Sequence, residues 1–377
     1  MKKVLVAMSG GVDSSSVCML LKNDGFELVG VTMRMWDSAA AFERYGGDEP
    51  DFIVEAKKLA EKLEFPHIVL DVRDEFKETV VKNFCDEYLA GRTPNPCVVC
   101  NRLIKWHYLQ KLADELNCDF IATGHYADIE QTDGKFYFVC GNDTNKDQSY
   151  FLWNVSQNIL KKTMLPLGKM SKSETRQVAE AHGFESLAKS KESMEVCFVE
   201  KDYRDFLKLH CPERLEEIGQ GHFVNIEGKK IGQHKGYPFY TIGQRKGLEI
   251  ALGTPAYVLK INPTKNTVMI GDRQYLETQD VLVENYNIVD KSDFAQKEVQ
   301  ARIRYRSKAE PASVEFIDDQ FLVIHFKEKV SAVTPGQSAV FYDGARLLGG
   351  GIISDQKLLK KIQKRREKER LTSAESE

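Results

Sequence analysis

Short apolar runs alternate with stretches of helical periodicity through the first half of the chain. Val4-Leu5-Val6-Ala7-Met8 is unbroken and apolar, the pattern of a strand buried on both faces. A glycine-rich turn follows it. Val17, Leu20 and Leu21 then recur at helical spacing until Gly25 stops the helix. Residues 28–33 predict the next strand. Ala56, Leu59, Ala60 and Leu63 predict a helix, residues 67–70 a strand, and residues 76–90 another helix. Residues 120–123 make a further strand that ends in Gly124-His125. This alternation predicts a doubly wound α/β domain with a parallel sheet and a site at the strands' carboxyl ends.

Near residue 200 the pattern changes. Residues 219–281 carry many glycines among short apolar runs, and beyond residue 282 the chain alternates. Strands are predicted over 299–305, 313–317, 321–326, 338–342 and 347–353, with turns at Asp318-Asp319, Pro335-Gly336 and Asp343-Gly344. That is a small all-β module, a barrel. The expected domains are residues 1–202, 203–281 and 282–356, followed by a charged tail, 357–377. The stretch 357–370 holds eight basic and two acidic residues and reads as a solvated helix or frayed tail.

Composition changes this picture little. The chain has 377 residues, 42% of them hydrophobic, enough for a sizeable core. Formal net charge is −3, so any polyanion partner must meet a local basic patch. No apolar run approaches the roughly 20 residues of a membrane span. The apolar start is too short for a signal peptide, which predicts a cytoplasmic protein. Eight cysteines are too sparse for a disulfide scaffold. Cys18, Cys118 and Cys140 sit among apolar neighbours and read as packing residues. Cys97 and Cys100 form a Cys-x-x-Cys, and Cys197 follows a polar stretch. A structural zinc site needs four ligands, so reactive thiol chemistry is the better reading.

Ser9-Gly10-Gly11-Val12-Asp13-Ser14-Ser15 links the first strand to the first helix. Its glycines permit close approach of an anion, while the helix-start amides and serine hydroxyls supply donors. No Gly-Lys-Ser/Thr closes the loop, so it is not of the Walker type, and it lacks a dinucleotide-binding glycine pattern. It is similar to the Ser-Gly-Gly-x-Asp-Ser loop of the ATP pyrophosphatases. Asp13 is out of place beside an anion; it reads as a helix-start acceptor or a magnesium contact.

Five further motifs follow: Gly91-Arg92-Thr93-Pro94-Asn95-Pro96-Cys97-Val98-Val99-Cys100-Asn101, Thr123-Gly124-His125-Tyr126, Asn145-Lys146-Asp147-Gln148-Ser149, Gly243-Gln244-Arg245-Lys246-Gly247 and Thr334-Pro335-Gly336-Gln337-Ser338. With them the chain closely resembles, over residues 1 to about 354, the bacterial tRNA-specific 2-thiouridylase family. The resemblance implies an ATP-pyrophosphatase domain, a small central domain and a β-barrel. It implies ATP-dependent 2-thiolation of a tRNA wobble uridine, through adenylation of the uracil C2 oxygen and sulfur transfer from a cysteine persulfide. By the same resemblance, ATP is held by Ala7, Met8, Ser9, Gly10, Gly11, Val12, Asp13 and Ser14, with Met33 and Gly124 around the adenosine and magnesium on the phosphates. Cys100 is the nucleophile and Cys197 the persulfide carrier, and the two pass through a transient disulfide. Target-base contacts map to Asn95, Pro96 and Cys97. Other tRNA contacts map to His125, Lys146, Asp147, Gln148, Arg304, Tyr305 and Gln337. A cysteine desulfurase or relay protein delivers the sulfur. Many members carry aspartate where this chain has Cys97, which leaves the role of that position open.

Two expectations come from the residues themselves. Arg302, Arg304, Arg306 and Lys308 alternate, and a strand would put all four on one face, toward RNA or as an ordinary polar barrel face. Residues 228–248 hold Lys229, Lys230, Lys235, Arg245 and Lys246 and no acid, a candidate clamp on an RNA backbone. Residues 189–195, polar and without a period, are the expected mobile link that lets Cys100 and Cys197 meet. The competing readings are another RNA-modifying sulfurtransferase of the same loop class and, from a different class, a thiol redox or binding protein.

Overall fold

The computed structural model describes residues 1–45, 47–185, 196–250, 255–295, 297–359 and 361–362. The chain divides into two compact units. The first comprises Met1–Asn83, Pro96–Asp202 and Gly344–Leu348; the second comprises Phe84–Asn95, Tyr203–Asp343 and Gly349–Glu377.

The first unit is built on a five-stranded sheet of β1 (Lys3–Ala7), β2 (Glu27–Arg34), β3 (His67–Asp71), β4 (Phe120–Ala122) and β7 (Thr163–Met164), in the order β3-β2-β1-β4-β7. Every pairing is parallel. Val4, Leu5 and Val6 are fully buried, as a strand covered on both faces requires. Helix α1 (Val12–Asn23) and helix α2 (Asp51–Lys62) bury Val17, Leu21, Ala56 and Leu59 in the same core. Gly25 ends the first turn region at φ 79°. The chain runs from β1 to β2 and β3 on one side and places β4 and β7 on the other. Strand order therefore reverses between β1 and β4, and the crevice at their carboxyl ends is where such sheets bind ligands. A hairpin, β5 (Ala127–Thr132) and β6 (Lys135–Cys140), turns at Asp133-Gly134, both with positive φ.

The second unit holds a four-stranded sheet and a barrel. The sheet runs β10 (Tyr257–Asn262), β11 (Thr267–Gly271), β8 (Gly221–Val224), β9 (Lys230–His234). Phe223, Tyr237, Tyr240, Val258 and Val268 fill its core. The barrel follows the order β12 (Glu277–Ile288), β15 (Phe321–Ser331), β14 (Glu310–Phe316), β13 (Val299–Arg302), β16 (Ser338–Asp343), β17 (Arg346–Ile353), and closes because β12 pairs with β17 as well as with β15.

Two expectations are corrected here. The strand expected over 299–305 ends at Arg302, because the chain turns at Arg304, whose carbonyl accepts from the Ser307 amide at 3.1 Å. The four cations therefore do not share one strand face. Second, the start of the tail is not merely solvated: Leu359 is buried with Leu282 and Val323, and Leu358 and Ile362 pack beside it. Apolar residues at this spacing dock one helical face. The tail from 363 onward and the expected mobile link 189–195 lie outside the described residues.

Candidate active site: an anion loop beside three thiols

The loop after β1 is held in shape by its own serines. The Ser9 amide donates to Ser14 Oγ at 3.0 Å, and the Ser14 hydroxyl donates to the Gly11 carbonyl at 3.2 Å. Gly10 has φ 69°, and a Cβ there would lie 2.3 Å from the Phe52 carbonyl oxygen, so only glycine fits. At Gly11 an added Cβ would meet nothing closer than Ser9 Oγ at 3.6 Å, which leaves room above the helix start. No side chain caps α1. Its first-turn amides thus face that room with the positive end of the helix dipole behind them. This donor set fits a phosphate group.

Asp13 is not the helix-start acceptor expected from the sequence. Its carboxylate takes two bonds from Lys172 Nζ, at 2.7 and 2.8 Å, and one from the Tyr126 hydroxyl at 2.8 Å. Lys172 begins the helix Lys172–Ala181, whose start is fixed by a capping box between Ser171 and Glu174. The sequence reading missed Lys172. Tyr126 is tied in turn to Gln148, whose Oε1 accepts from the Tyr126 amide at 3.0 Å. Asp147, 5% exposed, accepts from the Gly141 and Ser149 amides and from the Ser149 hydroxyl. These bonds make Asp147 and Gln148 parts of the scaffold behind the loop. Lys146 is half-buried in the same turn.

The loop after β4 joins the anion loop to the thiols. A Cβ on Gly124 would stand 3.0 Å from the Ser14 amide nitrogen, so this glycine lies against the helix start. The next residue, His125, stacks on Trp106 at 6.1 Å and shares a hydrogen bond with Thr123 Oγ1 at 2.7 Å. Burial first, and then the nearby Lys105 charge, pull its imidazole down to about 3. His125 is therefore neutral and offers no positive charge to RNA. Met33 is buried at the end of β2, beside the Ala7 and Met8 end of β1.

Cys97 and Cys100 lie three apart on the short helix Pro96–Cys100, which continues through a π-helical turn, Asn101–Lys105, into Trp106–Glu115. Cys100 is buried, with its thiol 3.9 Å from the Met35 sulfur, while Cys97 and Cys197 are exposed. All three are free thiols. Phe198, buried between Trp36 and Phe76 at ring distances of 6.1 and 5.5 Å, anchors the segment that carries Cys197. The π-turn brings Lys105 into electrostatic reach of all three sulfurs. Surrounding protein pushes each thiol up, Cys100 to about 12, and at each one the Lys105 ammonium pulls the other way. The Lys105 backbone amide also donates toward the Cys100 sulfur. Burial pulls Lys105 itself down, but the three sulfurs together outweigh it and hold its ammonium above its ordinary range. Lys105 thus lies within electrostatic reach of Cys97, Cys100 and Cys197. Lys105 was missed in the sequence, where nothing sets it apart from a surface lysine.

The remaining expected contacts fall in the second unit. The Asn95 amide donates to Ser338 Oγ at 3.3 Å. Gln337 Nε2 donates to the Thr93 and Pro94 carbonyls at 3.1 and 2.8 Å, and the Thr93 amide donates to Pro335. The Thr-Pro-Gly-Gln segment thereby fixes the loop that leads to Asn95. One guanidinium nitrogen of Arg304 donates to the Ile242 and Ala332 carbonyls and to Thr334 Oγ1. That geometry makes Arg304 a strut. Tyr305 beside it is half-buried. In contrast, Lys229, Lys230, Lys235, Arg245 and Lys246 are all exposed. Gly243 and Gly247, both at positive φ, bound the turn that presents Arg245 and Lys246.

Comparison with known proteins agrees with this layout. Residues 2–201 match the family model described as "tRNA methyl transferase HUP domain", residues 204–272 "tRNA methyl transferase PRC-barrel domain" and residues 278–353 "Aminomethyltransferase beta-barrel domain". The chain is 54% identical over 362 residues to "tRNA-specific 2-thiouridylase MnmA 3" of Phocaeicola vulgatus, covering 96% of each chain. It is 52% identical over 357 residues to the protein of the same name from Bacteroides fragilis, covering 94% of this chain and 95% of that one. It is 45% identical over 359 residues to "tRNA-specific 2-thiouridylase MnmA" of Carboxydothermus hydrogenoformans, covering 93% and 97%.

Proposed function

This chain belongs to the tRNA-specific 2-thiouridylase family, and on that premise we propose how its residues carry out ATP-dependent 2-thiolation of the wobble uridine of tRNA. The observation that carries the reading is that Lys105 lies within electrostatic reach of Cys97, Cys100 and Cys197, in the same unit as an anion loop. The family model's description speaks of methyl transfer, but three thiols within reach of one cation suit sulfur chemistry.

The C2 oxygen of uracil is a poor leaving group, and linking it to AMP makes it a good one. ATP supplies that AMP. Ser9, Gly10, Gly11, Val12, Asp13 and Ser14 hold its phosphates through the loop amides and hydroxyls, and Ala7, Met8, Met33 and Gly124 surround the nucleoside. A resident magnesium does not fit the protein groups. Among the described residues no three or more His, Cys, Asp or Glu side chains form a cation site, and Asp13 is already paired with Lys172. Magnesium arrives with the triphosphate in this reading.

Sulfur arrives on Cys197, whose exposure suits transfer from a donor protein such as a cysteine desulfurase or a relay protein. The Lys105 ammonium favours the anionic sulfur that must attack C2. The terminal sulfur attacks C2 and expels AMP, either while still on Cys197 or as hydrosulfide; in both routes the Cys100 thiolate attacks Cys197 Sγ and breaks the persulfide S–S bond, so Cys100 and Cys197 finish joined as a disulfide. The target base leaves the anticodon stack to reach these groups. Asn95, Pro96 and Cys97 contact it, and the exposed cations of residues 229–246 grip the tRNA backbone. Among the described residues no helix is long and apolar enough to cross a membrane.

The test is nucleoside mass analysis of unmodified tRNA incubated with the protein, ATP and a persulfide source. The expected result is 2-thiouridine, with AMP and pyrophosphate formed only when tRNA is present. A methylated nucleoside, or no AMP while the sulfur source is active, would overturn the reading.

A further inference from the structure

The relay above uses two thiols, and the site holds three. It also ends in a poor position. The Cys100–Cys197 disulfide ties up the sulfur carrier, and the exposed Cys197 cannot be reloaded while it is held there.

Cys97 is placed to resolve this. It is exposed and stands one helical turn before Cys100. Helix geometry puts residues three apart about 5 Å from each other at Cα, inside the roughly 4.4–6.8 Å window of a disulfide. Its sulfur lies within electrostatic reach of both Cys100 and Lys105, and that of Cys197 within reach of Cys97. One cation thus serves whichever sulfur attacks and whichever leaves. Phe198 keeps the Cys197 segment anchored between Trp36 and Phe76, so a released Cys197 stays at the site.

We propose that Cys97 is the resolving thiol of this enzyme: it moves the oxidation from Cys197 onto the Cys97-x-x-Cys100 pair and so frees Cys197 for the next sulfur. The proposal rests on the sulfur-relay reading above. In the step, the Cys97 thiolate attacks Cys100 Sγ in the Cys100–Cys197 disulfide. The Cys97–Cys100 bond forms, the Cys100–Cys197 bond breaks, and the Cys197 thiolate takes up the proton that Cys97 gave. No net oxidation or reduction occurs. A dithiol reductant then opens the pair at the exposed Cys97, returning two thiols and leaving with its own disulfide.

The experiment is one round of thiolation with tRNA, ATP and persulfide-loaded protein, without added reductant, followed by acid quench, alkylation and tryptic mass mapping under non-reducing conditions. Cys97 and Cys100 share the peptide 93–102, and Cys197 lies in 192–201. Disulfide is counted per 2-thiouridine formed. The expected wild-type product is an internally oxidised 93–102 with Cys197 alkylated. Cys97→Ser should instead accumulate 93–102 cross-linked to 192–201. A wild-type protein that accumulates the cross-link to the same extent as Cys97→Ser overturns the resolving role and leaves the relay intact. If 2-thiouridine forms while all three cysteines stay reduced, the relay itself fails and the proposal with it.

Discussion

The anion loop and the thiol cluster lie in one unit and are held by opposite means. The loop is fixed by hydrogen bonds among Ser9, Gly11 and Ser14 and by a backbone approach that only Gly10 permits. Its donors are amides and hydroxyls, which do not titrate near neutrality. The cluster has no such framework. Three thiols that the surrounding protein pushes up face one lysine that favours their ionised forms. Geometry is fixed in the first, while a charge balance governs the second. Perturbing the loop should therefore change binding at all pH values, and perturbing the cluster should change how the site responds to pH.

The largest effect should come from the cluster. Cys197→Ser removes the sulfur carrier, and thiolation should fall by on the order of 10³-fold or more. Because the loop is separate, tRNA-dependent AMP formation should persist in this variant. Quantifying 2-thiouridine and AMP side by side checks both halves. Loss of AMP formation as well would show that the two regions are not independent.

Gly10→Ala strikes the loop. The new methyl would need a left-handed backbone, costing about 1–2 kcal/mol, and would press on the Phe52 carbonyl. ATP affinity should drop about tenfold or more, the equivalent of roughly 1.4 kcal/mol, with the same ratio from pH 6 to pH 9. Isothermal titration across that range is the check. A ratio that changes with pH would mean that a titrating group takes part in the loop after all.

Lys105→Met is the matching test of the cluster. With the cation gone its downward pull is lost and burial dominates more strongly, so each thiol moves further up from its ordinary value. At pH 8 the thiolate fraction falls, and alkylation of Cys97 and Cys197 should slow several-fold. The whole pH–rate curve should shift to higher pH, and Lys105→Arg should restore most of it. A uniform slowing without a shift would make Lys105 a packing residue only.

How far each region could be read from sequence follows from the same contrast. The loop is contiguous, so a strand, two glycines and a serine-rich helix start revealed it. Cys97 and Cys100 were visible as a spaced pair. Lys105 was not, because a π-turn between it and Cys100 decides where it points, and helical spacing assumes there is none. Lys172 is 159 positions from Asp13, yet the capping box Ser171-x-x-Glu174 marked its helix start. The Asp133-Gly134 turn likewise announced a hairpin that the strand count passed over. The alternating cations of 302–308 misled in the other direction. A period of two is meaningful only while the strand lasts, and this strand ends at Arg302. Arg304 then directs its guanidinium at protein carbonyls, while the glycine-bounded turn at 243–247 presents Arg245 and Lys246 exposed.

The smallest expected effect is also the one that best tests what Asp13 does beside an anion site. Its carboxylate and Lys172 are only partly buried, at 34% and 11% exposure, so water screens the pair and its contribution is on the order of 1 kcal/mol. Lys172→Met leaves Asp13 charged and unpaired next to the phosphates, and ATP should bind about fivefold more weakly. Asp13→Asn in that background removes the repulsion and should recover most of the loss, and added salt should narrow the gap between Lys172→Met and wild type. A double-mutant cycle on ATP affinity separates this from the alternative. If Asp13→Asn weakens ATP as much alone as it does with Lys172→Met, the carboxylate acts on the ligand or its magnesium directly. Lys172 would then be a bystander, and the loop would depend on charge as the thiols do.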